Sequence, residues 1–206
     1  MKKKTISLAL MAFFLTADFN VFSQDQAPAP AFQDGEFWQF QVRESEFISK
    51  LSNPLDGTYG CLYSKGSVRM FQVTGNQKQP VPPARAEILL GLFGLSQTPE
   101  DLKFPLSVSQ KWNYQYSIKV PGAKKELNRF VEISVTAIEQ VTTPAGTFRA
   151  FKLEKDDRLG PRDFWVTTLF YSPETKSIVK SFTDFSGAGT AGKREIELIK
   201  FGSASK

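Results

Sequence analysis

KWNYQYSIKV, residues 111–120, alternates with a period of two. Trp112, Tyr114, Tyr116, Ile118 and Val120 fall on one side, and Lys111, Asn113, Gln115, Ser117 and Lys119 on the other. Successive side chains of a strand point to opposite faces, whereas a helix would scatter these five apolar residues around its circumference. The segment therefore predicts a half-buried β-strand. Burying such a face contributes roughly 1.5–3 kcal/mol per large apolar side chain.

The same period extends outward on both sides. RFVEISVTAIEQV (129–141) keeps Val131, Ile133, Val135 and Ala137 in register, and VTTPAGTFRAFKLEK (141–155) follows with a tight turn at its start. In Thr143-Pro144-Ala145-Gly146, proline presets φ and glycine can take the positive φ that releases the next strand, so the turn reads as the bend of a hairpin. FWVTTLFYS (164–172), a second proline turn at Ser172-Pro173-Glu174-Thr175, SIVKSFTDF (177–185) and REIELIKF (194–201) complete the series. Five strands in sequence with short connections predict an antiparallel meander. Upstream, Trp38, Phe40 and Val42 alternate with Phe37, Gln39 and Gln41, while GTYGCLY and SVRMFQV flank a short connection at Ser64-Lys65-Gly66. That arrangement predicts a hairpin.

One segment departs from the pattern. After a polar, proline-rich loop, GNQKQPVPPAR (75–85), comes AEILLGLFGL (86–95), apolar almost all round and about three helical turns long. A helix that is hydrophobic on every side is normally buried, most simply against the concave face of the sheet. Two sharper readings are a lid over a lipid-sized cavity and a segment that touches a membrane. The fold expected is mainly β, a curved antiparallel sheet or half-barrel meander with one apolar helix packed on its concave face.

The N-terminus has its own logic. Lys2, Lys3 and Lys4 precede a twelve-residue apolar run at 6–17, too short for the roughly 20 residues a bilayer span needs but suited to a secretory signal. Val21-Phe22-Ser23 places cleavage after Ser23, so residues 1–23 are expected to be a signal peptide and the protein to be periplasmic or secreted. Residues 24–35, rich in Pro, Ala and Gln, read as a flexible lead-in to a single β-rich domain at 36–206. Removing three lysines and one aspartate takes the net charge from +5 to +3, and the excess is spread along the chain. That leaves no electrostatic footprint for nucleic acid. The lone cysteine, Cys61, reads as a small buried hydrophobe.

FPLSVSQKWNYQY, VTTPAGTFRAFKLE and YSPETKSIVKS, in that order, resemble secreted bacterial proteins of unknown function that carry a proline-led strand, a TPAGTF hairpin and a YSPE turn. The resemblance covers residues 104–202. It implies a β-clam like that of periplasmic lipoprotein carriers, with an apolar inner face, and it implies no activity.

Composition argues against an enzyme. The chain has no histidine, which removes Ser-His and Cys-His dyads, histidine-containing zinc sites and the usual general base near neutral pH. Asp156, Asp157 and Asp163 form the nearest carboxylate cluster, but EKDDRLGPRD reads as a solvated loop, with calcium a minor alternative. GAGTAGK (187–193) fits the phosphate-loop spacing G-x-x-x-x-G-K, yet Arg194 stands where Ser or Thr should hold magnesium. The segment that follows reads as a strand, although a helix N-terminus is needed at the phosphates. No cofactor, metal or nucleotide is expected, nor is a membrane span.

Two functions from different classes remain. One is a module holding an apolar ligand such as a lipid acyl chain, lined by Trp112, Tyr114, Tyr116 and Trp165 and covered by Leu89. The other is a structural or protein-interaction domain of the cell envelope, without a ligand cavity. A cavity of several hundred Å³ within the sheet would separate them.

Overall fold

In a computed structural model, residues 25–49, 55–96, 100–118, 126–160, 163–187 and 190–203 are described. The signal-peptide expectation for residues 1–23 lies outside them. The chain order is β1 (Gln26–Ala27), β2 (Glu36–Ser49), β3 (Gly57–Ser64), β4 (Ser67–Thr74), β5 (Gln77–Pro80), α1 (Pro83–Leu92), β6 (Leu106–Ser107), β7 (Lys111–Ile118), β8 (Leu127–Thr143), β9 (Gly146–Gly160), β10 (Asp163–Ser172), β11 (Ser177–Gly187) and β12 (Thr190–Ser203). Ten of the strands form one antiparallel sheet in the spatial order β5-β4-β3-β2-β12-β11-β10-β9-β8-β7. The meander expected from the period-two pattern is therefore present from β7 to β12. β12 then joins β2, which brings the two halves of the chain into one surface.

Turn chemistry works as the sequence indicates. Thr143 pairs with Gly146 across Pro144-Ala145, and Gly146 has φ +140°. Between β3 and β4 the two turn residues, Lys65 and Gly66, both take positive φ, the condition for a hairpin turn that matches strand twist. The proline-rich loop at 75–85 is more ordered than expected, because Gln77–Pro80 forms an edge strand on β4. The lead-in is also tied down: Ala27 is fully buried and pairs with Leu106, and Phe32 packs edge-on against Trp38. A two-residue strand suffices there because its side chain lands in an apolar cluster.

The helix begins three residues earlier than the apolar run, with Pro83 in its first turn, where a missing N–H costs nothing. Its end is a Schellman turn. Gly94 takes φ +68°, Leu95 N–H donates to the Leu90 carbonyl, and Gly94 N–H donates to that of Gly91. This reversal drives Phe93 and Leu95 into the sheet. Phe93 stacks on Phe40 with ring centroids 4.0 Å apart, and its carbonyl accepts from Ile178 N–H. Leu89, Phe93 and Leu95 share a core with Trp38, Val42, Tyr59, Cys61, Phe148 and Leu198. Ile88, on the opposite side, is exposed. The core-helix reading is the one observed, with a single side of the helix buried rather than all of it.

A second core lies toward β7. Leu102 and Leu106, on the strap after the helix, pack with Val131, Val135, Phe151, Leu153, Leu169 and Tyr171. Cys61 is fully buried in the first core, and burial pushes its thiol pKa well above the usual range. It behaves as the small hydrophobe expected.

The Schellman turn yields one expectation. A Cβ at Gly94 would sit 2.9 Å from Ile178 Cγ1 in a conformation unfavourable to L-residues. Gly94→Ala should cost about 1–3 kcal/mol, read as a lowered Tm in thermal unfolding. A second concerns Glu197 on the outer face. Burial alone would raise its carboxyl pKa, but hydrogen bonds from Lys180 and Arg43 outweigh burial and hold it below the ordinary range. Its contribution to stability is thus complete above the unfolded carboxylate pKa of about 4.3 and is lost as pH falls through the lower folded value. Urea titrations below pH 5 should show a shallower acid loss in Glu197→Gln than in the wild type.

Candidate functional site

Cross-strand register shows what the inner face carries. One row runs Tyr114–Val131–Asp157–Trp165–Phe185 across β7 to β11. The next runs Trp112–Ile133–Lys155–Thr167–Thr183–Arg194–Glu44, from β7 to β2. A third is apolar apart from Ser181: Val135–Leu153–Leu169–Ser181–Ile196–Val42. The inner face is greasy in the middle and polar toward the end where β9 meets β10.

The polar end is built from buried ion pairs. Arg129 is 5 % exposed, and its Nε donates to Asp157 Oδ1 at 2.6 Å while Nη1 donates to Asp163. Tyr116 donates to the other Asp157 oxygen at 2.8 Å. Burial, then the Asp157 carboxylate, pushes the Tyr116 hydroxyl pKa up. Beside this group, Lys155 Nζ donates to Asp101 Oδ2 at 2.6 Å, and Tyr114 donates to Oδ1. Burial first, and Asp101 second, raise the Tyr114 hydroxyl. Across the row, Arg194 pairs with Glu44 at 2.7 Å and lies over the rings of Trp165 and Phe185.

These contacts correct the reading of EKDDRLGPRD as a solvated loop. β9 continues through Gly160, and strict alternation turns Asp157 inward, 4 % exposed, while Asp156 stays outside against Arg158. Asp156 and Asp157 do not converge, as alternation requires. Asp157 and Asp163 do converge, on a guanidinium rather than a metal ion. Among the described residues no group of three or more His, Cys, Asp or Glu is placed to hold a metal.

Between the rows lies a cavity of about 140 Å³. Its walls include Tyr116, Asp157 and Trp165, with Lys155, Thr167, Thr183, Leu169 and Ile178 from the sheet. Gly91 and Leu92 at the end of α1, together with Asp101, close it from the other side. Of the residues singled out from sequence, Tyr116 and Trp165 line this cavity, and Tyr114 is one hydrogen bond away through Asp101. Trp112 is not part of it; its indole donates to the Glu100 carbonyl and it packs on the second core. Leu89 is fully buried in the first core and is not among the residues that line this cavity. Asp101, Lys155, Thr167 and Thr183 were not anticipated. The legible signal was parity: Lys155 and Asp157 continue the inward register of Phe151 and Leu153.

Two larger depressions, about 540 and 490 Å³, are open grooves on the outer face, and they meet at Val166. Val166 and Phe182 are exposed there. The phosphate-loop spacing at 187–193 falls on a hairpin: Gly187 pairs with Thr190, and β12 continues as a strand. No helix N-terminus follows to meet a phosphate. Among the described residues no helix is long and apolar enough to cross a membrane.

No protein-family model and no curated protein matches the chain. Solved structures do match. A protein described as a lipoprotein from Parabacteroides distasonis is 11 % identical, with 87 % of this chain and all of that chain covered and a TM-score of 0.39. A protein described as exported, with a YmcC-like fold, from Bacteroides fragilis is 12 % identical over 86 % of this chain and all of its own, at 0.36. The hypothetical lipoprotein YmcC from Escherichia coli is 11 % identical over 82 % and 86 %, at 0.38.

The ion cluster makes a direct expectation. Removing one partner of a buried pair leaves the other charge uncompensated, at about 3–5 kcal/mol. Arg129→Met strands Asp157 and Asp163, so urea unfolding should show a loss of that size. Arg158→Met, which removes only an exposed partner of Asp156, should cost under about 1 kcal/mol.

Proposed function

We propose that this protein is an exported, non-enzymatic component of the cell envelope that holds a small amphipathic ligand on the inner face of its open half-barrel. The observation that carries the reading is the small, partly open cavity, placed where Trp165, Leu169, Ile178 and Leu92 meet the polar groups of Lys155, Thr167, Thr183 and Tyr116. Its volume sets the ligand class. A cavity of about 150 Å³ accommodates benzene, whereas pockets for drug-sized ligands run from about 300 Å³. A ring-sized compound or a short-chain acid matches this volume, and a whole acyl chain exceeds it. The ligand's apolar part would lie against Trp165 and Leu169, and its polar end toward Lys155 and the threonine hydroxyls.

Export is supported by the lysine-led apolar segment at the N-terminus. The non-enzymatic reading rests on the state of the charged groups around the cavity. Asp157 is held by Arg129 and Tyr116, and Asp101 by Lys155 and Tyr114. A general acid or base must exchange protons with a substrate, and these groups are committed to one another. The exposed Val166 and Phe182 in the outer grooves favour a second reading, docking of an envelope protein on that face.

The test is thermal unfolding against a panel of phenols, short-chain acids and long-chain fatty acids. Ligand at a hundredfold its Kd adds about 2.7 kcal/mol, a Tm rise of about 5–10 °C at roughly 2–4 °C per kcal/mol. Ring-sized and short-chain compounds should give it, and long chains should not. Gly91 borders the cavity, and a Cβ there meets no atom within 4 Å. Gly91→Leu should therefore keep the fold and abolish the shift. A panel that leaves Tm unmoved would sink the ligand reading in favour of the outer-face one.

A further inference from the structure

The wall of the inner cavity holds more hydrogen-bond donors than it spends. Lys155, Thr167, Thr183 and Arg194 stand in one cross-strand row from β9 to β12. Both threonines are buried, and the Thr167 hydroxyl donates to Thr183 Oγ1 at 3.1 Å. Thr183 is the acceptor of that bond, so its own hydrogen remains, and it goes to no described residue. An ammonium carries three donor hydrogens and accepts nothing. Lys155 gives one of its three to Asp101 Oδ2, and among the described residues the other two meet no acceptor. Both side chains border the same space of about 140 Å³, so one small ligand can meet both.

The acceptors of this wall are in the opposite condition. Asp157 takes Arg129 on Oδ1 and Tyr116 on Oδ2, and Asp101 takes Tyr114 on Oδ1 and Lys155 on Oδ2. Each carboxylate oxygen already holds a charged or hydroxyl donor. Two carboxylates against one ammonium would favour a cationic ligand on charge alone. A ligand ammonium, however, would have to share oxygens that are already bonded, whereas a ligand oxygen meets hydrogens that have no other partner. Buried donors left without an acceptor are costly, so the second exchange is the more favourable one. We propose that the cavity selects a ring-sized ligand headed by a carbonyl-type oxygen, that of a carboxylate or a carboxamide, received by Lys155 and Thr183. A head group that can only donate is rejected. The proposal rests on the ligand reading of this cavity and adds the chemistry of the head group.

Four compounds built on one ring test it: benzoate, benzamide, benzylamine and toluene, titrated into the exported protein by calorimetry. Benzoate and benzamide should each bind at least about tenfold tighter than toluene. Benzylamine, an ammonium at neutral pH, should bind no tighter than toluene. The order of benzoate and benzamide tells which of the two heads the site prefers. Thr183→Val exchanges the hydroxyl for a methyl group and should lower the affinity for benzoate and benzamide about tenfold. Toluene binding to the same variant should be unchanged, and that contrast separates a lost hydrogen bond from a general loosening of the wall, which would weaken every compound alike. Benzylamine as the tightest binder, or a Thr183→Val variant that keeps the preference for benzoate and benzamide, overturns the head-group proposal and leaves the cavity reading standing. Four compounds that all fail to bind overturn the cavity reading and this proposal with it.

Discussion

The stacking of Phe93 on Phe40 is the contact on which the rest of the architecture depends. An open sheet has an apolar inner face, and the two-residue strands β1 and β6 are too short to cover it, so helix and strap must supply the cover. α1 provides it, but the helix alone buries only one side chain fully. The reversal at Gly94 places the residues on either side of it, Phe93 and Leu95, in the core of the sheet. The Phe93 carbonyl is held by Ile178 N–H, so the same turn is also pinned to β11. From that point the strap runs on to Leu102 and Leu106 and covers the second half of the sheet. One turn thus joins two cores that would otherwise be separate.

Where the cover ends, the inner face changes character. Charges there are tolerated because each is matched within the fold: Arg129 by two aspartates, Lys155 by Asp101, Arg194 by Glu44. A buried pair is weak evidence for stability, since desolvation consumes most of the attraction, but losing one partner is costly. The pairs therefore act as constraints. They fix Tyr116, Tyr114 and Trp165 at defined positions around a small space whose walls come from separate strands.

The edges of the sheet continue the same reasoning. Closure into a barrel would remove both, and this sheet does not close. One edge is protected by a short, proline-ended strand and the other is left regular and uncharged over seven residues. The difference between β5 and β7 is therefore a chemical one, written in the side chains and independent of how either half of the core is packed.

Much of this was legible along the chain. Alternation in KWNYQYSIKV and RFVEISVTAIEQV requires strands, because only a period of two places those apolar residues on one face. The turn residues at Pro144-Gly146 and Lys65-Gly66 require hairpins, because proline and glycine restrict or extend φ locally. AEILLGLFGL required burial, because a single charge, Glu87, interrupts an otherwise apolar run. These are properties of neighbouring residues, and sequence records neighbours. The inward turn of Asp157 was also recorded, as parity with Phe151 and Leu153, but a run of charge is ordinarily solvated, and only a buried Arg129 from another strand reverses that expectation. Trp112 and Leu89 went elsewhere than the aromatic count suggested, since alternation assigns a face but not what covers it. The cover was decided by the tertiary fold: Glu100 and Asp101 meeting β7, Leu92 meeting β10 and β11, Glu44 meeting Arg194. Those partners lie up to 150 residues apart, and their meeting depends on β12 returning to β2, which no local pattern specifies.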